Sequence, residues 1–394
     1  MKLSIKDLPL PGRRVFIRVD FNVPLKDGVI SDDTRIRATL PTLDYGLRNQ
    51  AALVLASHLG RPKSKPTPAY SLRPVAAHLA TLLGRRVEFA SDCVGDPAQK
   101  AIADAGDGGV TLLENLRFHS GEEANDPEFA KALASLAELY VNDAFGAAHR
   151  AHASTEGVPR LMPMAAAGLL MLAELDYLGG ALQSPKRPFV AVMGGAKVSD
   201  KLELLENLLD RVDALVIGGA MAYTFFKARG LPVGRSLVED DQLDAAHRIA
   251  RKAEALGVQL ALPTDHVVAD RLDAAAAHET LAVDDPAIGD RMGLDIGPDA
   301  VRRYETILRK TRTVVWNGPM GVFELEPFAA GTIAIAKAIA DVQGVTIIGG
   351  GDSIAAAAKA GVINRITHVS TGGGASLEFL AGRTLPGVAA LTDK

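Results

Sequence analysis

At 394 residues the chain is long enough for two or three domains and too long for a single small module. Hydrophobic residues make up 48% and charged residues 23%, ordinary globular values that exclude a disordered or fibrous chain. Lys+Arg 43 against Asp+Glu 47 leaves a net charge of −4, which argues against a general nucleic-acid binder, and the one cysteine, Cys93, cannot close an internal disulfide.

The first residues carry Lys2, Lys6 and Asp7 where an export signal needs an unbroken apolar stretch. The longest apolar run, residues 161–173, contains Pro163 and Gly168 and is too short to cross a bilayer. The expectation is a cytoplasmic chain without membrane contact.

Short Val, Ile and Leu runs alternate with longer stretches of helical period, the pattern of βα units and parallel sheets. In chain order, strands are expected at 15–19, 51–56, 110–113 and 139–141, then at 189–192, 214–217, 259–262, 314–316 and 345–348. Between these sets lies an amphipathic helix from about residue 168, which Gly179-Gly180 is expected to close before the linker Ser184-Pro185-Lys186-Arg187-Pro188. This divides the chain into residues 1–168, a linker helix over 169–183 and residues 184–374. One large sheet is disfavoured because open sheets rarely hold so many strands.

In doubly wound sheets ligands bind beyond the carboxyl ends of the strands. In the first half those ends carry Asp20-Phe21-Asn22, Ser57-His58-Leu59-Gly60-Arg61, Glu114-Asn115-Leu116-Arg117 and Asn142-Asp143. Residues 35–73 hold an excess of six positive charges, with Arg35 and Arg37 among them, and Arg150 follows in His149-Arg150-Ala151-His152. Guanidinium forks match phosphate and carboxylate geometry, so these arginines suit a small, highly anionic ligand. A solvated basic face is the plainer alternative, and it is preferred for Arg48 or Lys65 alone.

The second half differs. Its strand ends carry Met193-Gly194-Gly195-Ala196-Lys197, Gly218-Gly219-Ala220, Asn317-Gly318-Pro319 and Gly349-Gly350-Gly351-Asp352-Ser353, with Thr371-Gly372-Gly373-Gly374 further on. Exposed backbone N–H groups at a helix start can cradle phosphate, and with Lys197 and Lys201 the repeated clusters favour a nucleotide over plain turns. Asp352 offers a hard oxygen for Mg²⁺ or, compatibly, a helix cap. No G-x-x-x-x-G-K-[ST], completed G-x-G-x-x-G, H-E-x-x-H or cysteine cluster is present, which excludes P-loop enzymes and the familiar zinc motifs and weakens a dinucleotide reading.

Ten segments then resemble the phosphoglycerate kinase family in its own order: RVDFNVP at 18–24, SHLGRP at 57–62, ENLRF at 114–118, NDAF at 142–145, AHRAHAS at 148–154, GGAKVSDK at 194–201, GLDIGP at 293–298, WNGPMGVFE at 316–324, GGDS at 350–353 and STGGGAS at 370–376. Arg291 and Leu325-Glu326-Pro327 depart from the family pattern without touching its expected contact positions. The resemblance implies an α/β fold of two Rossmann-like lobes, each a mostly parallel sheet flanked by helices. A hinge helix joins them, and a tail from about residue 375 packs back on the first.

It also implies reversible transfer of the acyl phosphate of 1,3-bisphosphoglycerate to Mg-ADP, giving 3-phosphoglycerate and ATP, by a monomer. Asp20, Phe21, Asn22, Arg35, His58, Leu59, Gly60, Arg61, Arg117 and Arg150 are expected to bind the triose acid. Lys197, Lys201, Gly293, Asn317, Glu324, Gly350, Gly351, Asp352 and Ser353 are expected at the nucleotide, with Asp352 on Mg²⁺. Arg35, Lys197 and the N–H groups of Gly372, Gly373 and Gly374 are expected to stabilise the transferring phosphoryl group. A carboxylate nucleophile is already ionised at neutral pH, so no general base is needed. The alternatives are another carboxylate kinase forming an acyl phosphate, which needs no such basic patch, and a non-catalytic two-lobe binder of phosphorylated metabolites, which needs no nucleotide glycines.

Overall fold

The computed structural model describes residues 1–26 and 28–394. By density of contacts the chain falls into two units, one of Met1–Asp176 with Thr384–Lys394 and the other of Tyr177–Arg383.

The first unit contains β1 (Arg14–Arg18), β2 (Leu25–Lys26), β3 (Val29–Ile30), β4 (Ala52–Ala56), β5 (Glu88–Phe89), β6 (Val110–Leu112), β7 (Leu139–Asn142) and β8 (Ala165–Ala167). A six-stranded sheet runs in the order β5-β6-β4-β1-β7-β8, every neighbouring pair parallel. Its central strands are apolar on successive residues because helices cover both faces. Val15, Ile17, Leu53, Leu55 and Val110 pack with Ile36, Leu43, Val75 and Leu79. The sequence reading found β1, β4, β6 and β7 to within a residue; β5 and β8 are too short and too weakly apolar to stand out.

The end of the chain returns to this unit. Leu3 N donates to Thr392 O (2.8 Å), Thr392 N to Ala165 O (2.9 Å) and Gly387 N to Ala148 O (2.8 Å), and Lys2 pairs with Asp393 (3.0 Å). The returning segment begins at Thr384, later than expected, because the helix Gly374–Leu380 belongs to the second unit, where Asn207 Nδ2 donates to Leu380 O at 2.5 Å.

The second unit contains β9 (Phe189–Met193), β10 (Ala214–Ile217), β11 (Gln259–Ala261), β12 (Asp265–Ala269), β13 (His278–Ala282), β14 (Met292–Ile296), β15 (Thr313–Asn317), β16 (Val345–Gly349) and β17 (His368–Val369). The order β11-β10-β9-β15-β16-β17 is again parallel throughout. The antiparallel sheet β13-β12-β14 was not expected, since β13 is exposed and its His-Glu-Thr sequence lacks an apolar run. Trp316, Val192 and Ile348 centre the core of the parallel sheet.

The helix Leu169–Gln183 runs straight through Gly179 and Gly180, correcting the expectation that the glycine pair ends it. Its hydrogen bonding continues to Ser184 N, which donates to Gly180 O (3.0 Å). An interior glycine costs a helix only about 1 kcal/mol relative to alanine, a penalty that packing overrides. At its start Leu170 N and Met171 N donate to one oxygen of Asp143 (3.0 and 3.1 Å), and Leu169 N donates to Thr42 Oγ1 (2.8 Å).

Candidate active site

In the first unit the carboxyl ends of β1, β4 and β6 bring the expected anion-binding residues together. Arg35, on the helix Thr34–Arg48, donates from Nη1 to Asp20 (3.3 Å) and Asn22 O (3.1 Å). Asn22 Oδ1 accepts from Gly60 N (2.9 Å), and Arg117 Nη1 donates to Gly60 O (2.8 Å), so the segments following β1, β4 and β6 are tied to one another. Gly60 has φ +60°, and a Cβ there would lie 2.3 Å from the Tyr70 ring. Asn115 braces the same loop, accepting from Leu59 N (3.2 Å) and donating to Leu59 O (2.7 Å).

His58 sits in the middle, buried. Burial, and then the charges of Arg18, Arg117, Arg35 and Arg150, hold its pKa well below the usual histidine value. His152 is lowered to about 4 by burial and then by Arg18, Arg117 and Arg150. Arg150 donates from Nε to His149 Nε2 (3.2 Å). Neutral histidines among four guanidiniums leave the positive field of the arginines for a ligand.

Two expected residues are placed differently. The Phe21 ring is fully buried in the core, leaving only its backbone at the site, where N donates to Ser57 Oγ (2.8 Å). Arg61 is exposed and bonds to no described residue. The sequence reading overlooked Arg18, the last residue of β1. It is buried, donates to Ser154 Oγ (2.8 Å), and lies 3.1 Å from His58 Nδ1. An arginine inside an otherwise apolar strand was the available signal. Behind it Glu122, also buried, accepts from Ser154 N (3.0 Å) and Oγ (2.6 Å); burial raises its pKa while Arg18 and Ser154 oppose the rise.

In the second unit the site lies where strand order reverses, between β9 and β15. Gly194 N donates to Asn317 O (3.0 Å) and Gly195 N to Pro319 O (2.9 Å). This approach forbids side chains: a Cβ on Gly194 would lie 2.0 Å from Pro319 O, and Gly318, at φ +93°, would meet Gly194 O at 2.3 Å. Lys201 Nζ donates to Gly194 O (2.6 Å) and Asn317 O (3.0 Å). Burial lowers its pKa to about 8, against the pull of Asp352 and Asp200. Asn317 Nδ2 donates to Gly349 O (2.7 Å) and Gly318 N to Ser353 Oγ (2.6 Å), so these side chains and Lys201 knit the loops together.

Beside the switch point opens a cavity of about 550 Å³. Gly293, Glu324 and Asp352 line it, together with Gly195, Gly219, Tyr223, Phe226, His266, Leu294, Pro319 and Val322. Its walls are mainly apolar or glycine, suited to a flat ring, and Asp352 in the first turn of the helix Gly351–Lys359 adds a carboxylate at one side. Lys197 is exposed and bonds to no described residue. Gly372, Gly373 and Gly374 lead into the helix Gly374–Leu380 and do not line the cavity. Tyr223 and His266 were missed because nothing in the sequence announces their pairing; their rings stack with centroids 5.7 Å apart, and Tyr223 Oη lies 2.8 Å from His266 Nδ1.

Parallel sheets carrying an arginine cluster in one unit and a glycine-walled cavity in the other define an α/β phosphotransferase. A family model described as phosphoglycerate kinase matches residues 5–383. Phosphoglycerate kinases of Acidobacterium capsulatum and Moorella thermoacetica are each 58% identical, with all of this chain and all of each relative covered. The structure of phosphoglycerate kinase from Coxiella burnetii superposes with a TM-score of 0.91 at 42% identity, covering 99% of this chain and 98% of that one. The chain belongs to the phosphoglycerate kinase family.

Proposed function

We propose that the two sites divide one reaction between them. The reaction is the family's, a step of glycolysis in which phosphate passes from 1,3-bisphosphoglycerate to ADP. The triose acid binds in the first unit, where Arg35, Arg117 and Arg150 take its phosphate and carboxyl oxygens and His58 donates a hydrogen bond. ADP or ATP binds in the second unit with its base in the glycine-walled cavity. The observation that carries this reading is the convergence of Arg18, Arg35 and Arg117 on His58, Asn22 and Gly60, where the segments following β1, β4 and β6 meet.

Asp352 fits Mg²⁺: its carboxylate is exposed, lines the nucleotide cavity and accepts no hydrogen bond from a described residue. Magnesium bound there with the nucleotide would offset charge on the phosphate oxygens. Lys197 and the N–H groups of Gly372, Gly373 and Gly374 serve the transferring group from the nucleotide side, and Arg35 serves it from the triose side. Lys201, Asn317, Gly350, Gly351 and Ser353 shape the phosphate end. Chemistry requires the two substrates to meet, so the cycle includes a closure step that excludes water. Small-angle scattering would show compaction when both substrates are added.

No helix among the described residues is long and apolar enough to cross a membrane. Cytosolic and chloroplastic relatives both occur, and we place this chain in the cytoplasm as a monomer. The deciding experiment is a coupled assay of ATP formation from ADP and 1,3-bisphosphoglycerate. Magnesium-dependent turnover is expected, and acceptance of acetyl phosphate in place of the triose substrate would overturn the assignment.

A further inference from the structure

β5 and β6 are neighbours in the first sheet, paired Glu88 with Thr111 and Phe89 with Leu112. The chain leaving β5 reaches Asp92 and Cys93, and the chain leaving β6 turns through Leu116–Phe118 to His119. Parallel pairing therefore sets a carboxylate, a thiol and an imidazole at one end of two adjacent strands. Their ligand atoms all lie within 4.8 Å of one another, and His119 Nε2 is 2.7 Å from Asp92 Oδ1.

We propose that Asp92, Cys93 and His119 form a three-ligand site for a soft divalent cation of the zinc class. Zinc bonds of about 2.0 to 2.3 Å in a tetrahedron place ligand atoms roughly 3.3 to 3.8 Å apart. The observed spacing brackets that range, so each side chain moves by no more than about an ångström to close on the ion. The orientation is already set on two sides. The His119 ring stacks on Phe129 with centroids 5.0 Å apart, and Asp92 Oδ1 accepts from Cys93 N at 2.6 Å. One thiolate and one carboxylate balance a dication, and the thiol proton passes to solvent on binding.

A second observation supports the site. Asp92 and His119 form part of the wall of a cavity of about 740 Å³, which Ser71, Arg73 and Glu114 also line. An ion therefore reaches the site from the side of Asp92 and His119, with Cys93 fully buried, and a water from the cavity would complete a zinc site with three protein ligands. Imidazole and thiolate are poor ligands for magnesium, so the site is separate in kind from the magnesium of the reaction. Loading would tie together the segments that leave β5 and β6, the second of them at His119, two residues beyond Arg117.

The test is titration of the full-length, chelator-treated protein with Co²⁺, whose thiolate complexes absorb in the near ultraviolet. Cys93 is the sole cysteine, so a thiolate-to-cobalt band has one possible origin. The band should saturate at one equivalent, disappear when Zn²⁺ is added, survive excess Mg²⁺ and be missing in Cys93→Ser. Equilibrium dialysis against Zn²⁺ gives a second readout that leaves the buried cysteine in place. Asp92→Asn/His119→Ala should lower affinity by at least about tenfold, the smaller effect seen even for outer-shell partners. Absence of the band in folded wild-type protein overturns the proposal, and so does Zn²⁺ affinity unchanged in the double variant.

Discussion

Arg18 Nη2 lies 3.1 Å from Nδ1 of His58 in the interior of the first unit. A guanidinium only donates hydrogen bonds, so Nδ1 is the acceptor and His58 is the neutral tautomer carrying its proton on Nε2. Arg18 is itself fixed by Ser154 Oγ and by the Val19 carbonyl oxygen, and Ser154 rests on Glu122. A buried chain of four side chains thus determines which nitrogen of one imidazole carries the proton.

Replacing Arg18 by lysine keeps the charge and removes the fork. An ammonium on a shorter reach cannot serve Ser154, Val19 and His58 together. Arg18→Lys should raise KM for 3-phosphoglycerate about tenfold, the equivalent of one hydrogen bond of about 1.4 kcal/mol, with a smaller change in kcat. Nitrogen-15 NMR of the wild type should show the Nε2–H tautomer of His58 throughout pH 6 to 8. A shift to mixed tautomers in Arg18→Lys would confirm the positioning role, and an unchanged tautomer with unchanged KM would exclude it.

Lys201 and Lys197 should separate cleanly. Lys201→Met takes the ammonium from Gly194 O in a largely buried place and leaves Asn317 O only the Gly194 N–H, at a cost of about 1 to 3 kcal/mol. Lys197→Met removes an exposed group with no described partner and should change stability by less than about 0.5 kcal/mol. Trp316, the sole tryptophan, is buried in β15 and reports unfolding of the second unit by fluorescence. Kinetics should give the opposite ranking, with Lys197→Met losing about 10³ or more in kcat if it meets the transferring phosphoryl group.

His266 gives the second unit a pH signature. Burial lowers its pKa from 6.5 to about 4, so below pH 6.5 the unfolded chain takes up a proton that the folded one refuses. Its contribution to stability is complete above pH 6.5 and is lost as pH falls from there toward 4, at up to about 1.4 kcal/mol per unit. His266→Phe keeps the stack on Tyr223 and removes one partner of its hydroxyl, costing about 1 kcal/mol at pH 7.5. Urea midpoints followed at Trp316 should cross about one pH unit below 6.5, the variant becoming the more stable protein in acid. Parallel curves would show that His266 titrates normally.

The parallel strands were legible because burial on both faces makes them continuous apolar runs, as in β9 and β10, and their ends led directly to His58, Arg117 and Asp352, while Arg35, on a helix, stood out by the excess of positive charge over residues 35–73. What stayed hidden depends on contacts between distant segments. β8 is three alanines, recognisable as a strand only from its pairing with β7. Arg18 reads as an interruption of β1 until Ser154 and His58 are seen beside it. Lys201 reads as a phosphate ligand, yet the approach of Gly194 to Asn317 engages its ammonium within the fold. The Gly179-Gly180 pair carries a local stop signal that the surrounding packing overrides.

That glycine pair allows a sharp experiment. A Cβ at Gly180 would meet nothing within 4 Å, and the helix is already continuous across the position. Gly180→Ala should therefore stabilise the protein by about 0.5 to 1 kcal/mol through lower entropy of the unfolded chain. If the helix works as a rigid rod, kcat stays within about twofold, since a contribution below about 0.4 kcal/mol is all that such a change represents. If catalytic closure draws on backbone freedom at the pair, kcat falls by about tenfold while both KM values hold, because the substituted residue impedes motion and not binding. Steady-state kinetics beside a denaturation curve distinguishes the two: stability gained without loss of turnover moves the bend away from residue 180, and stability gained at the cost of turnover locates it there.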